Sequence, residues 1–241
     1  MACPRPVISR VGTSHRGRFC SPYMVCFLLF LSTGGAGYRF ADLPPAKDTE
    51  IAELSREVQQ LESAIRVDSV RNCRIQKVTS IMNQYNRNMS SMEQYDIADA
   101  IFQASMKYSN LDLELICATI TQESGKTWNP RVVSPPGALG LMQVMPATGR
   151  YVAQYERIEW TSAEEVLFNP VYNIRIGCRH LSALMELFKD TEGALAAYNG
   201  GQHRASLWIR EGKAGGILWE ETQNYFPAVL KFAGEFRLMS N

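Results

Sequence analysis

"ITQESGKT", residues 120–127, decides between two readings of this chain. It ends in the Gly-Lys-Thr that closes a phosphate-binding loop, and it carries a carboxylate, Glu123, where a helix is about to stop. A phosphate loop needs G-x-x-x-x-G-K-[ST] after a strand and before a helix. The first glycine of that pattern would fall at 120, where the residue is Ile120. The segment before it has helical period, so the helix also lies on the wrong side. The nucleotide reading fails on both counts.

Working outward, Asp112 is a helix N-cap, and Leu113, Ile116, Cys117 and Ile120 follow on one face. Three residues further on the same face is Glu123, and Gly125 is a natural stop just beyond it. The carbonyl end of a helix disfavours a negative charge, and partial burial disfavours it as well. Both raise the carboxyl pKa, and a carboxylic acid kept protonated near neutral pH is what a general acid requires. The competing reading is a glutamate turned to solvent or paired with Lys126 or Arg150.

From about residue 93 onward every periodic stretch reads as helix and none as strand. Helices are predicted over about 95–108, from Asp112, from Pro146 in the first helical position, and from Asn169-Pro170 with Ile174, Cys178, Leu181, Met185 and Phe188 at spacings of four and three. A short helix ends at "YNGG", with Gly200 as its left-handed cap. The last opens near Thr222 and carries Tyr225, Val229, Phe232 and Phe236. The fold class is therefore all-α, with a helical domain over 93–241. Before it, Ile51, Leu54, Val58, Leu61 and Ile65 form an a/d seam that breaks at Asp68 and Asn72. This short amphipathic helix within 38–92 suits self-association, an envelope partner, or packing on its own domain. The polar stretch "NQYNRNMSS", 83–91, marks the domain boundary.

The net charge of +1 conceals an uneven distribution. The first 36 residues hold Arg5, Arg10, Arg16 and Arg18 and no acid, leaving 21 basic and 24 acidic residues, a net −3, in the remainder. That is no footprint for nucleic acid. The basic start leads into the apolar "YMVCFLLFL" and the small residues "STGGAG", the pattern of a secretory signal over about 1–37. Export to the periplasm or envelope follows, with an uncleaved anchor as the alternative. Outside that segment Cys73, Cys117 and Cys178 remain; an odd count allows one bridge at most, and buried thiols are the simpler reading. No spacing suits a metal, and no cofactor is implied.

"SPPGALGLMQVMPATG", 134–149, is a turn and a short helical piece in which Gly137 and Gly140 let the backbone lie close to another group. With the Glu-Ser at 123–124 and Asn129-Pro130 before it, and "AAYNGG" and "ETQNYFPAVL" after it, it resembles the catalytic domain of the soluble lytic transglycosylases. These are a lysozyme-like family that cuts bacterial peptidoglycan. Four linked motifs in family order, from about Ala98 to Arg237, carry the resemblance; the first 90 residues lie outside it.

The resemblance implies that Glu123 is the single acid/base. It implies that Ser134 and Gln143 line the sugar groove with Gly140, and that Met142 packs beside it. Tyr198 and Asn199 would flank the cleft, and Tyr225 would stand near Glu123. Against these, Met142 and Tyr225 are also well placed to be core. The longer "SGKTW" departs from the family pattern and puts Trp128 in reach as a stacking surface. The implied partner is the peptidoglycan glycan strand. The implied reaction is non-hydrolytic cleavage between N-acetylmuramic acid and N-acetylglucosamine, leaving a 1,6-anhydro end. One carboxylate suffices because the C6 hydroxyl of the same sugar replaces water. A hydrolytic muramidase with a second acid, and a non-catalytic wall-binding module, are the rivals.

Overall fold

The structure, a computed structural model, describes residues 46–239; the expected signal segment lies outside them. Among the described residues nine helices follow in order: α1 (Ala46–Tyr85), α2 (Ser91–Lys107), α3 (Leu113–Glu123), α4 (Pro146–Glu156), α5 (Ala163–Leu167), α6 (Pro170–Phe188), α7 (Thr191–Gly200), α8 (Gln202–Arg210) and α9 (Glu220–Leu238). No strand forms among them; isolated bridges join Leu139 to Val133 and to Val144. The helix starts follow local chemistry. Ser90, Asp112, Ser162, Asn169 and Asp190 each accept a backbone N–H of the first turn, which satisfies donors that the helix itself cannot. Pro146 and Pro170 occupy first-turn positions where no N–H is needed.

The helix carrying Glu123 is the centre of the packing. Every residue of α3 from Leu113 to Thr121 is buried, and α9 makes the most extensive contact with it. On α6 the predicted stripe Ile174, Cys178, Leu181 and Met185 is buried, and this helix packs against α2, α4 and α7. Cys117 and Cys178 are buried free thiols.

The chain divides within α1, between Val67 and Asp68, into two compact units. In the first, the described residues form the predicted helix. Its seam residues Ile51, Leu54, Val58, Leu61 and Ile65 are 52–68% exposed. In the second, α1 is packed: Ile75, Val78, Ile81 and Met82 are buried in the core. Lys77 Nζ donates to Glu114 Oε1 on α3 at 2.7 Å, with Arg74 at 3.6 Å from the same oxygen. The loop expected at 83–91 does follow α1, but the compact unit begins at Asp68. Buried apolar residues begin three residues past Asn72, at Ile75, in the part of α1 that belongs to the compact unit.

Two shorter helices, α5 and α8, were not legible from apolar period. The cap after α7 also shifts by one residue. Gly200 lies inside the helix, and Gly201, at φ +89°, is the residue that leaves it. Gly200 is required for space, since a Cβ there would lie 2.6 Å from Thr222 Oγ1.

A truncation tests the role of residues 68–85. Burying four such side chains stabilises by about 1.5–3 kcal/mol each, together comparable with a whole domain's stability of about 5–15 kcal/mol. A fragment spanning 68–241 should unfold cooperatively in urea, and a fragment spanning 93–241 should show no cooperative transition. Equal transitions for the two fragments would remove α1 from the core.

Candidate active site

The C-terminal end of α3 is shaped by the loop that follows it. Gly125 and Lys126 both have positive φ, and the Lys126 amide donates back to Thr121 O at 2.8 Å, while that of Ser124 donates to Ile120 O at 2.9 Å. The helix therefore stops with Glu123 as its last residue. The loop then folds under the helix. Trp128 is fully buried, its amide donating to Ser124 Oγ at 3.1 Å and its indole N–H to Thr121 Oγ1 at 3.0 Å. The expectation of Trp128 as a stacking surface is thus overturned. Its indole fills the core and its N–H finds a partner there, which is the favourable arrangement for this side chain.

Glu123 is half-buried, and Tyr225 OH, on the second turn of α9, donates to its Oε1 at 2.6 Å. Lys126, one of its alternative partners, lies instead over the Phe232 ring. Burial pushes the Glu123 carboxyl up to about 8; the Tyr225 hydrogen bond pulls the other way, and the charge of Glu221 adds to the rise. Tyr225 is buried, and burial followed by the Glu123 charge holds its phenol well above the usual range. It is a donor at any physiological pH. Glu221 went unassigned in the sequence, although its i, i+4 spacing to Tyr225 puts both on one face of α9. Asn199 is tied to the same turn: Thr222 Oγ1 donates to its Oδ1 at 2.7 Å, and its Nδ2 lies 3.4 Å from Glu221 Oε1.

A compact loop over residues 132–144 carries the remaining predicted residues. The Gly140 amide donates to Val132 O at 2.9 Å, and Leu139 and Val144 exchange amide bonds at 3.1 and 3.0 Å. Ser134 Oγ accepts the Ala138 amide at 3.0 Å, which leaves its hydroxyl proton for another acceptor. Gln143, at φ +46°, spends its Nε2 on Gly140 O at 2.8 Å and Val132 O at 3.2 Å. Its side-chain oxygen is the end left for a ligand. Tyr198 OH donates to Met142 O at 2.8 Å. Its phenol is raised well above the usual range by burial and then by the Glu123 charge.

Two expectations change here. Met142 is fully buried, with Cys178 Sγ 3.8 Å from its Sδ and Gly177 so close that a Cβ would lie 2.5 Å from that sulfur. It backs the loop and offers no surface to a ligand. Gly140, at φ +79°, is also buried; a Cβ there would fall 2.3 Å from both Asn173 Nδ2 and Leu167 O. The close approach is therefore to α6. Asn173 is the residue missed in the sequence. Fully buried, it donates to Leu139 O at 2.8 Å and Leu167 O at 2.9 Å, and accepts the Met142 amide at 2.8 Å. Its only signal was an amide beside the apolar stripe of α6.

The site thus offers one carboxyl held protonated near neutral pH, a buried phenol donor and a loop with the Ser134 hydroxyl proton and the Gln143 side-chain oxygen left for a ligand. Cys117 and Cys178 do not supply a nucleophile, because burial pushes both thiols up and the thiolate is the reactive form. No group of His, Cys, Asp and Glu able to hold a metal occurs among the described residues. The chemistry on offer is proton transfer by Glu123.

Residues 99–218 match the family model described as the transglycosylase SLT domain. The chain is 34% identical over 131 residues to the soluble lytic murein transglycosylase of Escherichia coli K12, covering 50% of this chain and 20% of that protein. It is 36% identical over 108 residues to the transglycosylase of Enterobacteria phage PRD1, covering 45% and 36%. The solved structure of the lytic transglycosylase Slt of Pseudomonas aeruginosa, an inactive Glu-to-Gln mutant, is similar with a TM-score of 0.51 and 27% identity, covering 57% of this chain and 23% of that one. The complex of a 70-kDa soluble lytic transglycosylase with bulgecin A gives a TM-score of 0.52 and 30% identity over 58% and 24%. The chain spans between a fifth and about a third of the length of the curated relatives named.

The raised carboxyl makes a linkage prediction. A group whose pKa rises from 4.5 to about 8 on folding contributes stability that is fully present below the unfolded value and lost as pH rises through the folded one. The amide of Glu123→Gln does not titrate. The Tm of this variant minus that of the wild type should be smallest near pH 4 and should grow to a plateau above pH 8. A difference independent of pH would show that the carboxyl is not held protonated.

Proposed function

The chain belongs to the SLT-type lytic transglycosylase family, and we propose that it cleaves the β-1,4 bond between N-acetylmuramic acid and N-acetylglucosamine in peptidoglycan without adding water. The observation that carries this reading is the Glu123 carboxyl at the end of α3, pushed up to about 8 and held by Tyr225 through one oxygen. It enters the reaction as an acid. It gives its proton to the glycosidic oxygen as the C1–O bond breaks, with positive charge building on the muramic acid ring. The resulting carboxylate then takes the proton of the C6 hydroxyl as that oxygen bonds to C1. Glu123 ends protonated, as it began, and the glycan ends in a 1,6-anhydro ring.

Intramolecular attack takes the place that an activated water holds in hydrolases. In this reading Tyr225 positions the carboxyl, and Ser134, Gln143 and Asn199 hold sugar hydroxyl and acetamido groups. Tyr198 fixes the 132–144 loop through Met142 O, and Gly140 and Met142 act from behind that loop. The step uses no cofactor. A hydrolytic muramidase is the second reading, and the Glu221 charge felt at Glu123 is the observation that favours it, because a second carboxylate could activate water.

The arginine-rich start and its apolar run support export to the periplasm or envelope. Among the described residues no helix is long and apolar enough to cross a membrane. The exposed seam at 51–65 fits self-association or an envelope partner.

Digestion of purified sacculi separates the two readings. Fragments should end predominantly in 1,6-anhydro-N-acetylmuramic acid, one water lighter than hydrolytic fragments and resistant to borohydride. Glu123→Gln should lower the rate by roughly 10²- to 10⁴-fold, the range for a lost acid/base, and Glu221→Gln should leave the anhydro product in place. Mainly reducing ends, lost in Glu221→Gln, would establish the hydrolytic reading.

A further inference from the structure

A second cleft, of about 610 Å³, lies between α4 and α6 and is closed at one side by the start of α8. Its most prominent groups are two tyrosines one helical turn apart on α4. Tyr151 and Tyr155 are 61% and 53% exposed, pack edge to face with centroids 5.2 Å apart, and share a hydrogen bond between their hydroxyls at 2.9 Å. The Arg179 guanidinium lies over the Tyr155 ring at 5.1 Å and fixes its orientation. Leu187, 55% exposed, continues the apolar wall. Large apolar side chains grouped at a concave surface mark binding sites more often than random exposure does.

The cleft is linked to the site already described through one side-chain contact. Its near rim begins at Ala147, four residues past Gln143, and includes Gln202, next to Gly201. His180 forms part of its lining and packs on the Tyr198 ring with centroids 5.4 Å apart. Tyr198 in turn holds the loop that carries Gln143. The Tyr198 ring thus touches a residue of the cleft, His180, and holds the loop of the candidate site through Met142 O.

We propose that this cleft binds the glycan strand itself, beyond the bond that is cut, with Tyr151 and Tyr155 as stacking surfaces. The inference rests on the transglycosylase reading. A pyranose ring has an apolar face of C–H groups and a rim of hydroxyls. The cleft matches both, with flat aromatic and aliphatic walls beside the His180, Gln202, Arg179 and tyrosine hydroxyl groups. A strand running through it from the scissile bond is bound at two places, so its affinity depends on length, as it does for linked sites. A strand too short to reach α4 gains nothing from the tyrosines. Tyr151 and Tyr155 are thus residues that set preference for long glycan over short.

The test is the double variant Tyr151→Ala/Tyr155→Ala, whose exposed positions leave the core untouched, compared with wild type and with Tyr151→Phe/Tyr155→Phe. KM and kcat are measured on long uncrosslinked glycan strands and on a tetrasaccharide of alternating N-acetylglucosamine and N-acetylmuramic acid. Loss of binding shared by ground and transition states raises KM and spares kcat. For the alanine variant KM on long strands should rise about 10-fold with kcat unchanged, its kcat/KM on the tetrasaccharide should equal that of wild type, and the phenylalanine variant should behave as wild type. An unmoved KM on long strands, an equal loss on both substrates, or a loss in the phenylalanine variant as large as in alanine would each overturn the subsite. Wild type releasing no anhydro fragment from either substrate would instead overturn the transglycosylase reading, and this inference with it.

Discussion

The hydrogen bond of 2.6 Å from Tyr225 to Glu123 joins α9 to the last residue of α3, and the rest of the site is arranged around it. A carboxyl at the carbonyl end of a helix, half out of water, is an unfavourable place for a charge. Packing α9 along α3 supplies one donor for that carboxyl and no cation. A lysine or arginine at the position of Tyr225 would have held Glu123 ionised, as the Lys107 ammonium group does elsewhere for the buried Glu156. There, burial alone would raise the carboxyl, and the hydrogen bonds of Lys107 and Tyr108 outweigh it and bring it below the usual range. The two glutamates differ in what faces them, and that difference separates an acid from a structural anion.

The surrounding structure holds the candidate site in place from three sides. The second half of α1 contributes core residues and the Lys77–Glu114 ion pair. Breaking a buried pair by removing one partner leaves the other charge uncompensated, so it fixes the position of α3 even where it adds little net stability. The Trp128 loop closes the underside of the helix, and α6 anchors the opposite wall through Asn173. That one amide satisfies three buried backbone groups of residues 139, 142 and 167. Losing it would leave each of them unpaired, at about 1–3 kcal/mol per group.

The all-α class, the end of α3 and the place of Glu123 were legible in the sequence because they follow from apolar period, caps and a glycine stop. The lysozyme-like family was legible because its motifs are contiguous. Trp128 was misjudged, and Met142 was left between groove and core, for a shared reason: a large side chain in a loop can face either, and period gives no direction outside regular structure. Gly140 marked a close approach correctly, but the partner is Asn173, 33 residues on, and only the fold brings them together. The beginning of the compact unit was displaced because the helix before the polar stretch at 83–91 already buries Ile75, Val78, Ile81 and Met82 in the core. Tyr151 and Tyr155 went unremarked because exposed tyrosines on a polar helix face carry no signal until the cleft beside them is seen.

The protonation state of the Glu123 carboxyl decides whether it can act as an acid, and carbon-13 NMR reads it directly. With glutamate labelled at the side-chain carboxyl, the Glu123 resonance is assigned by its loss in Glu123→Gln and followed from pH 3 to 10. The account predicts a midpoint near 8, and a higher one in Tyr225→Phe, since the tyrosine hydrogen bond favours the carboxylate. A midpoint below 5 in the wild type would mean that Glu123 is ionised at neutral pH, and would contradict its role as the acid that begins the reaction.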